Sequence, residues 1–334
     1  MISTDIPLIE LHRHLDGSTR LETILDLGLQ HNLPLPAKTL EELRPYVQVS
    51  TPQPGVMAFI EKFKWMTGVL VNYDACRRIA YENVEDASRE GIDYIELRYS
   101  PWFMGEAHHL KPEGVVEAVT EGIRSAEKDY PIRVNQLGIL SRHYGPQIAM
   151  RELEAELSLA HEFTGLDLAG DEAHYPGELF REHFRKARDA GWHITVHAGE
   201  AAGPESIWQA VRELGAERIG HAVHAPEDAA LLDFLRDKGI GIECNLTSNV
   251  QTSTVADYPS HPMRLFMEKG ILATLNTDDP GISAIDLRYE YEVAAPRAGL
   301  TPQMIRQAQV NALTTAFLTE EEKTALKQRK PGAA

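Results

Sequence analysis

Apolar and polar positions along this chain repeat as a unit in which helical text ends on a glycine and a short β-rich run follows at once. The unit recurs at Gly91, Gly191, Gly215, Gly239 and Gly270, with IDYIELRY, WHITVHA, AERIGHAV, IGIECN and ILATLN next. Each glycine suits a left-handed helix end, and each run has the length and residue types of a strand. Ahead of Gly215, Ile207, Val211 and Leu214 fall at i, i+4 and i+7, one apolar stripe suited to packing on a sheet. PLIELHRH, IRVNQLGIL and GLDLAGD bring the predicted strands to the number that closes a (β/α)8 TIM barrel, an α/β fold. The alternative, a doubly wound open sheet, calls for a glycine-rich phosphate turn after the first strand, where this chain has His12-Arg13-His14.

The stretch between the first strand and Ile92 is too long for one crossover helix, so a helical insertion is predicted over about 17–90 of a single domain spanning 1–334. One helix is expected near Val56 to Leu70, with Phe59, Phe63 and Met66 on one side. Such an insertion would sit over the barrel mouth, and its aromatics either hold it together or gate a ligand. The closing KQRKPGAA is expected to fray.

Composition narrows the partners. With 43% hydrophobic and 25% charged residues the chain reads as an ordinary folded protein. The opening MISTDIPLIELHRH lacks the basic flank and apolar run of a secretory signal, and no stretch has the length of a membrane span, so a cytoplasmic protein without a membrane partner is expected. A formal charge of −17 repels a phosphate backbone, which argues against nucleic acid and for a small neutral or cationic molecule. Cys76 and Cys244 lack the spacing of a thiolate metal site and read as packing residues.

The chemistry gathers at strand ends. His12 and His14 stand at i and i+2, on one face of the first strand, and the C-terminal end of a barrel strand looks into the mouth where TIM-barrel sites form. Taken alone, such a pair could equally be two hydrogen-bonded core histidines. WHITVHAGE ends in His197, with Glu200 three residues on, either a functional acid or a loop carboxylate. RIGHAVHA ends in His221. The last strand runs into Asn276-Thr277-Asp278-Asp279-Pro280, where Asp279 before a proline has the alternative reading of a helix N-cap. In a closed barrel the eighth strand neighbours the first, so Asp278 would join His12, His14 and His197 in a set of three imidazoles and one carboxylate, which suits Zn²⁺ best. His31, His161, His183 and His261 fall instead on apparent helices and loops.

LHRHLDG, LAGDE, VHAGE, RIGH, LTSN and NTDDP, in this order, resemble the adenosine deaminase family from about Ile6 to about Leu326. The resemblance implies hydrolytic deamination of adenosine and 2′-deoxyadenosine, with one Zn²⁺ held by His12, His14, His197 and Asp278. It implies Glu200 as proton donor, His221 as helper of the attacking water, and substrate contacts from His14, Asp16, Gly170 and Asp279, with Asp16 on the ribose. The partner it implies is a purine nucleoside. Deamination of adenine or another 6-aminopurine, and a catalytically silent nucleoside-binding barrel, are the competing readings. The shorter Asp16, where the similar adenine-deaminating family tends to carry glutamate, leaves room for a ribose. The chain departs from the bacterial pattern at Ala222, where glycine usually follows the histidine matching His221.

Overall fold

A computed structural model describes residues 1–331. Eight parallel strands stand side by side in sequence order, from β1 (Ile9–His14) and β2 (Tyr94–Tyr99) through β3 (Arg133–Ser141), β4 (Phe163–Ala169), β5 (His193–Ala198), β6 (Arg218–His221) and β7 (Gly241–Cys244) to β8 (Leu272–Leu275). This consecutive order excludes the doubly wound alternative, in which the order must reverse. The ring closes at the β8 end through backbone bonds: Asp278 N–H donates to the His12 carbonyl at 2.9 Å, and His14 N–H to the Asp278 carbonyl at 2.8 Å. Leu11 N–H donates to Asn276 Oδ1 at 3.0 Å, so a side chain supplies the acceptor where the strands have parted.

The pairing of β1 with β2 shifts between Glu10 and Arg13, so simple alternation is interrupted there. Ile9 and Leu11 pack with Tyr94 of β2 and with Ala312 and Leu313 of the helix Pro302–Thr315, Glu10 turns with Arg13 toward Thr277 and Glu90, and His12 and His14 reach the mouth. Burying each aliphatic side chain contributes about 1.5–3 kcal/mol and holds this stretch of β1 in place. The five glycines that end the repeating units all have positive φ, between 66° and 84°.

Two helices differ from expectation. The stripe of Ile207, Val211 and Leu214 does not lie on one regular helix: an α-helix Pro204–Gln209 passes into a π-helical turn, Ala210–Leu214. The wider turn rotates Val211 partly out, leaving Ile207 and Leu214 fully buried. The helix expected over Val56 to Leu70 is three short pieces, Val56–Ile60, Glu61–Phe63 and Lys64–Thr67, yet Phe59, Phe63 and Met66 are all buried. Between β1 and that segment lie the helices Leu21–Gln30 and Leu40–Val47, and Tyr73–Arg89 leads into β2. Of the end expected to fray, Lys327 and Gln328 close the last helix, Glu320–Gln328, and residues 332–334 lie outside the described residues. No helix among the described residues is long and apolar enough to cross a membrane.

Candidate active site

His12 and His14 leave β1 on one face, His197 ends β5 one residue before Ala198, and Asp278 follows β8; all four are buried. Nε2 of His14 lies 3.2 Å from Nε2 of both His12 and His197. Oδ1 of Asp278 lies 3.1 Å from Nε2 of His12 and 3.2 Å from Nε2 of His14. Donors about 2.1 Å from a shared centre, at near-tetrahedral angles, sit about 3.4 Å apart, so this spacing fits a metal ion. Asp278 reaches the cluster from a backbone with φ 66°, a left-handed conformation held by its two bridging bonds to β1.

The other ring nitrogens are fixed from below. His12 Nδ1 meets Glu243 Oε2 at 2.7 Å, and His197 Nδ1 meets Asp167 Oδ2 at 2.9 Å. Arg98 spans both acids, 2.8 Å to Asp167 and 2.9 Å to Glu243, and Arg218 Nε donates to Glu243 at 2.7 Å. Burial alone would raise these carboxyls, but His197 and Arg98 hold Asp167, and Arg98 and Arg218 hold Glu243, well below the usual carboxylate range. Burial in turn pushes His197 down to about 3 and lowers His12, keeping both imidazoles neutral and their Nε2 lone pairs free. None of Asp167, Glu243 and Arg98 was picked out from the sequence. Their signal is a charge inside otherwise apolar strand text, one each in LDL and IEC and two in IELRY.

Glu200 lies on the loop after β5, buried, with Oε1 3.6 Å from Nδ1 of His221. Its burial pushes its pKa up to about 7, partly offset by His221. Glu172 clamps this loop: its carboxylate accepts from the backbone N–H groups of Gly199, Glu200, Ala201 and Ala202 at 2.6–3.1 Å. His221, at the end of β6, accepts from Asn249 Nδ2 at 2.9 Å on Nδ1 and points Nε2 at Asp278 Oδ2, 3.6 Å away. Asn249 is itself held by His261, at 3.1 Å, and by Thr254, at 3.1 Å. His261, set aside in the sequence as a peripheral histidine, is therefore a buried support for His221; long-range folding of 249–261 against β6 brings it there.

Asp279 occupies the N-cap position before Pro280, but its side chain makes no capping bond and its Oδ1 has no partner. Burial and the charge of Asp278 raise its pKa well above the usual range. Asp16 is not a cap either, since the next helix starts at Leu21 with Arg20 as N-cap. Its Oδ2 accepts from Ser100 N–H at 3.2 Å and its Oδ1 is unpartnered. Gly170 follows β4 with φ 105°. One pocket takes in His14, Asp16, Gly170, His197, Glu200, His221, Asp278 and Asp279, roofed by Val56, Phe59, Ile60, Phe63 and Phe103. Of the residues expected to act on metal or substrate, His12 alone is not on the pocket wall; it lies beneath, in the cluster of donors.

The adenosine deaminase family model matches residues 7–330. An adenosine deaminase of Klebsiella pneumoniae is 57% identical over 329 residues, covering 98% of this chain and 99% of its own, and one of Escherichia coli is 56% identical over the same span. Among solved structures, an amidohydrolase of Burkholderia ambifaria with bound Zn is 25% identical with a TM-score of 0.89, covering 97% of this chain and 89% of its own. The N6-mAMP deaminase of Arabidopsis is 26% identical with a TM-score of 0.83, covering 98% of each chain. An adenine deaminase of Arthrobacter aurescens, at 22% identity and a TM-score of 0.89 over 97% of each chain, shares the fold. With a family match over nearly all of its length and relatives above half identity, the chain belongs to the adenosine deaminase family.

Proposed function

We propose that this protein hydrolyses adenosine and 2′-deoxyadenosine to inosine and 2′-deoxyinosine, releasing ammonia, with one Zn²⁺ held by His12, His14, His197 and Asp278. The observation that carries the reading is the close approach of those four donors, His12 beneath and the other three on the wall of one pocket, beside a buried acid, Glu200, and a carboxyl with an unpartnered oxygen, Asp279. Zinc in such a set supplies Lewis acidity that makes water a nucleophile at neutral pH.

The chain's own residues do the rest. Glu200, protonated in its buried setting, donates to purine N1 as the ring loses aromaticity at C6. His221 and Asp278, facing each other across 3.6 Å, orient the attacking water and take up its proton. Water adds at C6, the exocyclic C–N bond breaks, and the amine leaves as ammonia after gaining a proton. With N1 at Glu200 and C6 at the donor cluster, the other ring nitrogen flanking that edge, N7, falls to Asp279. Gly170 offers its backbone to the purine, and Asp16 offers its free Oδ1 to a sugar hydroxyl. His14, beside Asp16 at 3.7 Å, lines the same wall. The helical segment 17–90 forms a lid of the single domain 1–334, its Phe59 and Phe63 excluding water from the ring. Two buried free cysteines fit a reducing, cytoplasmic compartment and an enzyme acting there on a free nucleoside.

Ultraviolet absorbance tests the reading, because adenosine and inosine differ in spectrum and binding alone leaves it unchanged. We expect turnover of adenosine and 2′-deoxyadenosine by zinc-loaded protein and poor turnover of adenine. A site that binds the sugar uses that remote contact in the transition state, so adenine should lose kcat as well as affinity. Adenine matching adenosine overturns the nucleoside assignment, and no spectral change with any purine overturns the reaction.

A further inference from the structure

His143 follows β3 in the 3₁₀ turn Arg142–Tyr144 and forms part of the pocket wall. Its ring stands edge-on to Phe103, with centroids 6.2 Å apart, and lies tilted against Tyr144, at 4.2 Å. The turn is pinned by Arg142, which donates to the carbonyls of Tyr175 and His197. Every contact that positions the ring is thus apolar or made by its neighbour. Nδ1 is buried and has no hydrogen-bond partner among the described residues. Burial lowers the imidazole's pKa, so the ring is neutral, able to donate from one nitrogen and accept at the other. A buried polar atom left unpaired is costly unless a ligand satisfies it. The nearest alternative on this wall is already committed: the Ser141 hydroxyl bonds Ser100 Oγ at 2.9 Å.

Cyclic order says what would meet it. Around the barrel mouth the groups run Glu200 after β5, Gly170 after β4, His143 after β3, Asp16 after β1 and Asp279 after β8. Around the purine the order is N1, C2, N3, then N9 with its sugar, then C8 and N7. Matching N1 to Glu200 and N7 to Asp279 sets N3 at Gly170 and places the sugar between His143 and Asp16. Gly170 and His143 are close neighbours, since a Cβ on Gly170 would lie 2.7 Å from His143 Nδ1. In a nucleoside with its base anti, the 2′-hydroxyl stands on the N3 flank and C5′ on the C8 flank.

We infer that His143 hydrogen-bonds the ribose 2′-hydroxyl and so sets the preference between adenosine and 2′-deoxyadenosine. The inference rests on the nucleoside deaminase reading above and adds a specificity-determining residue to it.

The test compares kcat/KM for adenosine, 2′-deoxyadenosine and 3′-deoxyadenosine in the unmodified protein and in His143→Phe and His143→Gln, all zinc-loaded. Phenylalanine keeps the aromatic packing and removes the hydrogen bond. We expect it to lower the adenosine value about three- to tenfold while leaving 2′-deoxyadenosine within about twofold. The 3′-deoxy compound keeps its 2′-hydroxyl and should fall with adenosine, and glutamine should restore part of the adenosine preference. Ratios between substrates within one preparation cancel any loss of folded protein. If His143→Phe lowers adenosine and 2′-deoxyadenosine by the same factor, or changes neither, His143 only packs and the inference is overturned. An unmodified protein that turns over none of the three overturns the deaminase reading itself.

Discussion

Asp279 fills the space that a side chain at residue 17 would need: a Cβ built on Gly17 would fall 1.8 Å from Asp279 Oδ1 and 2.6 Å from its Cγ. The glycine of HRHLDG thus leaves room for a carboxyl that the helix start at Pro280 does not use for capping. Gly17→Ala should push Asp279 away from the place proposed for it on the purine and lower kcat/KM for adenosine at least tenfold, while the zinc content stays near one equivalent because Asp278 keeps its backbone bonds to β1. Steady-state kinetics with elemental analysis checks both halves, and unchanged kinetics would show that Asp279 is not needed where it lies.

The bond from Asp167 to Nδ1 of His197 orients a proposed metal ligand rather than touching the metal. Asp167→Asn removes the negative charge and leaves one acceptor oxygen where the carboxylate uses two, Oδ1 toward His197 and Oδ2 toward Arg98. Zinc affinity should drop about 10–100-fold with the fold retained. Competition with a chelator measures it, and an affinity equal to that of the unmodified protein would assign Asp167 to the structural network alone.

For Glu200 the sign of the pH dependence follows from its role. In the proposed role it acts protonated, and burial holds its pKa at about 7, so the active form would be complete well below pH 7 and lost as pH rises through that value. The kcat/KM for adenosine should therefore decline on the alkaline side with a slope approaching one log unit per pH unit. Glu200→Gln should keep zinc and fold, lose about 10²–10⁴-fold in kcat, and lose that alkaline limb. A flat profile to pH 9 in the unmodified protein would remove Glu200 as the acid.

His221 and Ala222 are consecutive left-handed residues, with φ 70° and 52°. For alanine that conformation costs about 1–2 kcal/mol relative to glycine, but the fully buried methyl returns about 0.8 kcal/mol. The two partly cancel, so Ala222→Gly should stabilise by no more than about 1.2 kcal/mol. Ala222→Val adds branching at a left-handed, closely packed position and should cost about 2–4 kcal/mol. Denaturant unfolding of both variants measures the difference. A glycine variant more stable by over about 2 kcal/mol would mean that the methyl packs badly and that the departure from glycine strains the rim.

The sequence by itself determined the strands, their number and the residues at their ends. Strand and helix follow from local periodicity, and a histidine or aspartate that interrupts an apolar run at its C-terminal end is visible without neighbours. Hence His12, His14, His197, His221, Glu200, Asp278 and Asp279 were legible, as was the helical stretch between β1 and β2. Tertiary structure alone decided their supports. Asp167, Glu243 and Arg98 are charges inside three separate strands, and only barrel closure shows that they share one network. The same holds for Glu172 under the Glu200 loop, for His261 behind Asn249, and for the orphan nitrogen of His143. For Arg98, Glu172 and His261 the decisive fact is a partner 12 to 145 residues away, and for His143 it is the lack of one, both fixed by how strands stack around the ring rather than by any pattern along the chain. The left-handed backbones of Asp278 and His221 belong to the same class, because ordinary residues adopt them only where surrounding bonds hold them.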